Sequence, residues 1–570
     1  MSVKQIPYGL ADYKSLITEE YVYVDKTMYL PSLEQAGLYI LFLRPRRFGK
    51  SLFASMLGYY YDIAEKENFD LLFSNTDIGK NPTKRKNAYY ILKFNFSGIR
   101  TKSSEIMLES FTQKVYDALR AFRRAYHLDI ILEMKSPEIQ LSHFFTEFQE
   151  KCDGKIYVII DEYDHFANEL LSSNYEIFKD TITGDGFVRT WYEVLKEAAG
   201  TIVERIFITG VSPITLDSLT SGFVSENFSM DREFNEMMGF TRTEVEQLIQ
   251  ETIPPKERPS VLMNTLTEYY NGYCFSKDGK TRVFNSDMVL YYLKHFQRHH
   301  EPPEQLLDQS IASDYGKLQR LIGFANPKQN REILAEIIFN EYTTAKLIDS
   351  FSTNQEFDKE HFKSLLFYLG LLTIKEREGS YVKLQIPNTA LMGLYFNFLI
   401  KIIARETDYE PDIREINLAV EQIAYENAID KLVFLAEGLL HALSNEDYKG
   451  FNEKYVKHAM VAYSWDNALY NIKSEYEIEG GRYVDLAFFP KDTTSGLATV
   501  LFEFKYIKKS DVPDPASSKG KNIISTKLAE AINQLQGYSS AKEFAEKKIS
   551  AWAIVFVKDE CVERVHVPIG

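Results

Sequence analysis

Asp485, Glu503 and Lys505 are the residues whose types and spacing most directly imply chemistry. Asp485 falls in an apolar, strand-like run at 483–489, and Glu503-Phe504-Lys505 lies in a second such run at 499–506. Alternation along a strand sets Glu503 and Lys505 on one face and leaves Phe502 and Phe504 to fill a core on the other. Two carboxylates from adjacent strands offer hard oxygen ligands to Mg2+ or Mn2+. Such an ion would lower the pKa of a bound water and neutralise charge on a phosphate under attack. Lys505 beside them would stabilise developing negative charge or position the water. Standing alone, a carboxylate and a lysine two residues apart are a common surface salt bridge. Here the pair sits on an apolar strand, follows another strand that carries Gly481-Arg482-Tyr483-Val484-Asp485, and precedes a long helix.

A second constellation lies near the N-terminus. Leu43-Arg44-Pro45-Arg46-Arg47-Phe48-Gly49-Lys50-Ser51 follows an apolar strand at 40–43 and opens a helix near Ser51. A phosphate-binding loop requires that context, because backbone N–H groups at a helix N-terminus attract phosphate oxygens. Lys50 would reach the β- and γ-phosphates and Ser51 would hold Mg2+, with Arg46, Arg47 and Gly49 in the loop. Arg44 stands where the first glycine of such a loop belongs. Residues 157–160 form a buried strand ending in Asp161-Glu162, the first acid suited to the Mg2+ shell and the second to orienting a water. A neighbouring strand at 206–209 would bring Thr209 near the γ-phosphate.

These residues need elements to position them. Short apolar runs near 40–43, 89–96, 157–160 and 206–209 alternate with amphipathic helices such as 104–126, which implies a parallel sheet in an α/β domain. Residues 241–294 turn helical and would form a lid. A mostly helical stretch follows, in which a helix at 361–369 and strands at 372–376 and 381–386 outline a winged helix. The last section reads as a helix at 453–463, strands at 472–478, 483–489 and 499–506, a polar loop at 510–522, a helix at 526–547 and a strand at 551–557. That is an αβββαβ order. Four divisions are expected: 1–238, 239–295, 296–434 and 435–570.

Bulk properties narrow the class. A chain of 570 residues exceeds one hydrophobic core. Its net charge of −15 argues against nucleic-acid binding over the whole surface, while leaving room for a local basic groove. Basic residues do cluster at Arg44–Lys50, at Lys84-Arg85-Lys86, and at Lys505, Lys508, Lys509, Lys519 and Lys521. Three scattered cysteines, Cys152, Cys274 and Cys561, fit neither a disulfide framework nor a zinc site. No apolar run is long enough to cross a bilayer, and the N-terminus lacks a secretory pattern, so a cytoplasmic protein is expected.

The N-terminal half, over roughly residues 6 to 290, resembles the bacterial predicted AAA-ATPase family. The matching residues are Tyr23-Val24-Asp25-Lys26-Thr27, the arginine-rich loop from Arg44 to Leu52, Ile160-Asp161-Glu162-Tyr163-Asp164, Thr209-Gly210-Val211-Ser212-Pro213, Gly239-Phe240-Thr241 and Tyr270-Asn271-Gly272-Tyr273. That family carries the same arginine in place of the first glycine. The resemblance implies ATP binding by Lys50, Ser51, Asp161 and Glu162. AAA-type sites often borrow an arginine from a neighbouring subunit, which leaves a homo-oligomer open. Residues 435 to 570 resemble the PD-(D/E)XK nuclease superfamily. Carried over by position, Asp485, Glu503 and Lys505 form its core, with Glu453 as a further metal ligand and Gln534 and Tyr538 as site supports. Tyr483 and Val484 lengthen the link before Asp485 and suggest a local bulge. The combined expectation is an ATPase coupled to a metal-dependent nuclease acting on nucleic acid, DNA before RNA. The alternative is an ATP-dependent switch whose nuclease fold binds nucleic acid or a partner without cutting.

Overall fold

Strands buried along nearly their whole length are covered on both faces, and three of them build the N-terminal sheet. They are β1 (Tyr39–Leu43), β3 (Ile156–Asp161) and β4 (Val203–Gly210), joined by β2 (Tyr90–Asn95) and the two-residue β5 (Glu226–Asn227). All are parallel, in the order β2-β3-β4-β1-β5. The alternating burial of β2 suits an edge strand.

This computed structural model describes residues 3–167, 186–213, 226–303, 305–308, 322, 326–351, 357–407, 411–444, 452–465, 467–492, 494–538, 541–545 and 547–568. The chain divides into two compact units, 1–334 with 342–390, and 335–341 with 391–570.

In the first unit, helix Ser104–Ala125 is capped by Ser103, whose side chain accepts from the Ile106 N–H. It buries Met107, Phe111, Val115, Leu119 and Phe122 in one stripe. Helix Pro137–Lys151, which the sequence reading passed over, starts with proline in its first turn and buries Leu141, Phe144, Phe145 and Phe148. Three helices, Arg242–Thr252, Leu262–Tyr270 and Ser286–His299, fill most of the expected lid segment. Beyond them, helix Lys359–Tyr368 lies in sequence between β6 (Thr343–Ala345) and the hairpin of β7 (Thr373–Glu378) and β8 (Tyr381–Gln385), and the three strands form an antiparallel sheet ordered β6-β8-β7.

The second unit carries a mixed five-stranded sheet, ordered β13-β12-β11-β10-β9. Its strands are β9 (Tyr470–Ile478), β10 (Arg482–Pro490), β11 (Thr499–Ile507), β12 (Ile549–Val557) and β13 (Glu560–Val567). Only β11 and β12 run parallel. The expected αβββαβ order is therefore extended by one strand. The hydrophilic β13, with mostly half-exposed or exposed residues, lacks the apolar pattern that marks the others.

The long helix of this unit is also displaced from its expected 526–547. It spans Ser518–Tyr538, so that the last five residues of the expected polar loop, 518–522, are helix. Ser517 caps its start by accepting from the Gly520 N–H at 3.0 Å. A Cβ on Gly520 would lie 2.4 Å from the Asp514 carbonyl oxygen, so this glycine permits close packing and does not mark a flexible loop. The expected bulge before Asp485 is absent, because β9 and β10 keep one register from Arg482↔Ile478 to Pro490↔Tyr470. No helix among the described residues is long and apolar enough to cross a membrane.

The two sheet ends that carry Asp161 and Thr209 are knitted by side chains. Buried Asp164 accepts from the Val211 and Ser212 N–H groups, and the Tyr163 hydroxyl donates to the Ser212 carbonyl at 2.6 Å. A Cβ on Gly210 would meet Asp164 Oδ1 at 2.3 Å and the Tyr163 ring at 2.4 Å. Gly210→Ala should therefore destabilise the first unit by about 2 kcal/mol through overpacking, read as a lowered denaturation midpoint.

Candidate functional site

The arginine-rich loop begins where β1 stops. Leu43 pairs with Gly210, and the Arg44 N–H donates to the Gly210 carbonyl at 3.1 Å. Arg44 then turns inward and is 1% exposed. Its guanidinium donates to the carbonyls of Leu43 (2.9 Å), Ser229 (2.6 Å) and Phe234 (2.8 Å), between the rings of Phe42 and Phe275, each 4.2 Å away. Burial pulls it down to about 9 from the usual arginine value. In place of a turn glycine, this position holds a cation that rivets the loop to distant backbone.

The rest of the loop is clasped from the same unit. Phe48 packs edge-on against Tyr273 and Phe275, at 4.9 and 5.2 Å between centroids. The Gly239 N–H donates to the Phe48 carbonyl. A Cβ on Gly370 would lie 2.7 Å from Pro45. Gly49, at φ +85°, takes the left-handed turn that starts helix Lys50–Tyr61.

The helix N-terminus opens on a cavity of about 480 Å³, lined on its polar side by Arg46, Arg47, Lys50, Ser51, Glu162 and His165. Apolar residues, among them Leu10, Val24, Met238 and Leu290, line the remainder. Lys50 is buried, and its ammonium donates to the Arg44 and Pro45 carbonyls at 3.1 and 3.0 Å. Burial lowers its pKa, against the pull of Glu162, Asp161 and Asp164. The Ser51 hydroxyl is hydrogen-bonded to Asp161, whose pKa is raised by burial despite that bond. Burial also acts to raise Glu162, but the His165 imidazole 3.5 Å away and the charges of Lys50 and Arg46 bring it down to about 2.

Of the residues read from sequence, Arg46, Arg47, Gly49, Lys50, Ser51 and Glu162 line this one cavity, and Asp161 joins through Ser51. Thr209 does not: its hydroxyl donates to the Phe42 carbonyl at 2.8 Å and is fully buried. Sequence reasoning missed His165, Asn95 and Asp287. Asn95 ends β2 directly beside Asp161, and Asp287 meets Arg47 at 3.5 Å. A polar residue ending an apolar strand was the available signal for Asn95. Lys26 also lines the cavity, donating to the Glu236 carbonyl and to both oxygens of Glu244.

In the second unit the strands part where the acids stand. The β10–β11 ladder runs from Phe488↔Val500 to Leu486↔Phe502 and goes no further toward Asp485 and Glu503. There the Phe504 N–H donates to the Asp485 carboxylate at 2.8 Å. Glu503 is 1% exposed. Its carboxylate accepts from the Lys505 ammonium at 2.9 Å, and the Tyr538 hydroxyl lies 3.1 Å away while donating to the Tyr483 carbonyl. Lys505 also donates to the Phe504 carbonyl at 3.0 Å. Phe502 and Phe504 are buried on the opposite face.

Burial and then the neighbouring Asp485 charge push Glu503 up to about 7, against Lys505 and Tyr538. Burial raises Asp485 as well, and raises Glu453, which also feels Asp485. Glu453 opens helix Glu453–Ser464. One turn later, Lys457 is 2% exposed and ion-paired with Glu475, which stands opposite Asp485 on β9 at φ +50°. This second acid–lysine pair was not legible in the sequence. Gln534 is exposed, one helical turn before Tyr538.

Two carboxylates raised by burial offer hard oxygens of the kind that a divalent cation takes. Among the described residues no group of three His, Cys, Asp or Glu is disposed to hold a metal. A cation at Asp485 and Glu503 would therefore rest on two carboxylates and keep several waters, as Mg2+ does.

Comparison with known proteins agrees with this division. Residues 7–220 match the family model of predicted AAA-ATPases, and residues 451–565 match that of the PD-(D/E)XK nuclease superfamily. Both resemblances read from the motifs are borne out, each in its own part of the chain. A curated relative, described as an uncharacterized protein in the vnfD 5′ region of Azotobacter chroococcum mcd 1, is 24% identical over 296 residues. The match covers 52% of this chain and 53% of that protein, so the chain spans about half the length of the relative.

The pKa of Glu503 sets a sign. A carboxyl raised in the folded state contributes stability that is present below its unfolded value and lost as pH rises toward 7. In EDTA, Glu503→Gln should melt a few degrees above the parent at pH 8, and the two should converge near pH 5. Equal midpoints at both pH values would contradict the strained acid pair.

Proposed function

We propose that this protein binds and hydrolyses ATP through its N-terminal loop and cleaves nucleic-acid phosphodiester bonds at Asp485, Glu503 and Lys505. The observation that carries the nuclease half is the acid pair held where β10 and β11 part, with a lysine ammonium on one of its carboxylates. The nucleotide half rests on the cavity at the start of helix Lys50–Tyr61, together with the AAA-ATPase match. The organisation proposed is an ATPase core at 1–238, a lid at 239–295, a helical and winged-helix-like region at 296–434 and a nuclease domain at 435–570.

At the nucleotide site, Lys50 exchanges its carbonyl partners for the β- and γ-phosphates. The free N–H groups of the helix start hold phosphate oxygens. Ser51 and Asp161 are already joined by a hydrogen bond and are the residues suited to Mg2+. Glu162, ionised at every physiological pH, accepts a hydrogen bond from the attacking water and so orients it.

At the nuclease site, Asp485 and Glu503 are the residues that would hold Mg2+ or Mn2+, with Glu453 close by. That ion supplies charge neutralisation and a more acidic water. Tyr538 fixes the orientation of Glu503, and Lys505 steadies negative charge on the phosphate. Exposed Lys519 and Lys521 on helix Ser518–Tyr538 can meet a nucleic-acid backbone, and DNA is favoured over RNA. Nucleotide state would govern access to this site.

With purified protein, ATP and Mg2+ or Mn2+, Lys505→Ala should lower cleavage of DNA by roughly 100-fold or more and leave phosphate release from ATP intact. Lys50→Ala should do the reverse to phosphate release. If the parent cuts no DNA or RNA under any of these conditions, the nuclease fold is a binding module and the cutting role is wrong.

A further inference from the structure

Three arginines stand in one loop, and the fold gives each a different environment. Arg44 is fully buried, committed to three carbonyls and two aromatic rings. Arg47 takes a left-handed backbone at φ +69° and faces Asp287. Its own carbonyl accepts from the Ser286 hydroxyl and the Asp287 N–H, which ties it to helix Ser286–His299. Arg46 lies between them in sequence, is half-buried, and lines the cavity with Lys50, Ser51, Glu162 and His165. Its charge is felt by both Lys50 and Glu162.

Lys50 and Glu162 bracket the place of the terminal phosphate, the lysine through its charge and the glutamate through the water it orients. A guanidinium lining the same cavity can reach the place where negative charge gathers during phosphoryl transfer. We infer that Arg46 is a catalytic residue for ATP hydrolysis, supplying from its own chain the arginine that stabilises the transition state. The inference rests on the ATPase reading above.

The step balances without further reactants. The water oxygen bonds to the γ-phosphorus as the bond to the β–γ bridging oxygen breaks. The electron pair of that bond stays on the bridging oxygen of ADP, and the protons of the water leave with the phosphate as H2PO4−. Arg46 donates hydrogen bonds to oxygens whose charge grows along this path. Its guanidinium keeps its protons throughout.

Charge that exists only in the transition state calls for a probe that mimics it. Binding of a fluorescent ADP to the full chain is measured with Mg2+, with and without aluminium fluoride. The parent should bind far more tightly with the fluoride complex. Arg46→Ala should lose roughly 100-fold or more of that gain, while plain ADP affinity changes less than about 3-fold. Arg46→Lys should restore part of it. Mixing Arg46→Ala with Lys50→Ala chains should not regenerate phosphate release, because Arg46 serves its own site.

A full fluoride-dependent gain in Arg46→Ala would overturn the inference and leave the ATPase reading standing. Activity regained on mixing would overturn it equally, by placing the arginine in trans. A parent chain that gains nothing from aluminium fluoride and releases no phosphate would fail the ATPase reading itself, and the inference with it.

Discussion

A guanidinium without water around it must be met by carbonyls or rings, and Arg44 is met by both. Breaking such a contact leaves either a bare cation or orphaned carbonyls, each costly in a low-dielectric interior. The chain at Ser229 and Phe234 is therefore held to the end of β1, and Phe275 is held over the loop. Pro45 against Gly370 and Phe48 between Tyr273 and Phe275 complete the frame. Residues more than 300 apart in sequence thus fix the path of one short loop. What remains of that loop, Arg46 to Ser51, is left to face the cavity.

The second unit uses the opposite charge in a similar place. In both units the candidate site residues stand where a strand ladder stops: after Leu43↔Gly210 in one sheet and beyond Leu486↔Phe502 in the other. A ladder that ends releases backbone N–H and carbonyl groups that must find partners. The Arg44 N–H finds a strand-end carbonyl, and the Phe504 N–H finds the Asp485 carboxylate. The first exchange fixes the start of the loop through its main chain, and the second fixes the Asp485 carboxylate against the backbone of β11.

The sequence revealed elements and sites to different degrees. β1, β3 and β4 were legible because continuous apolar runs have little else to be in a chain of this kind. Asp485, Glu503 and Lys505 were legible as a set because strand alternation separates them from Phe502 and Phe504. Helix Ser518–Tyr538 was misplaced because Gly520 and its neighbouring serines look like a loop, while their actual work is tight packing and capping at the helix start. β13 was missed because an edge strand can be polar. Thr209 was read as a phosphate contact from its place at a strand end, but local pattern carries no record of which way a hydroxyl turns. The Lys457–Glu475 pair was invisible for another reason: only the pairing of β9 with β10 sets Glu475 opposite Asp485.

Burial and the neighbouring Asp485 charge raise Glu503 to about 7, uncommon for a carboxyl. Without a cation, the pair therefore carries less negative charge than two carboxylates would. Near neutral pH this softens the repulsion that the pair would offer an anion. A divalent cation binding there would displace the Glu503 proton, so loading would add one net positive charge to the pair. Such loading would hand a proton to the buffer, and so would grow easier as pH rises through 7.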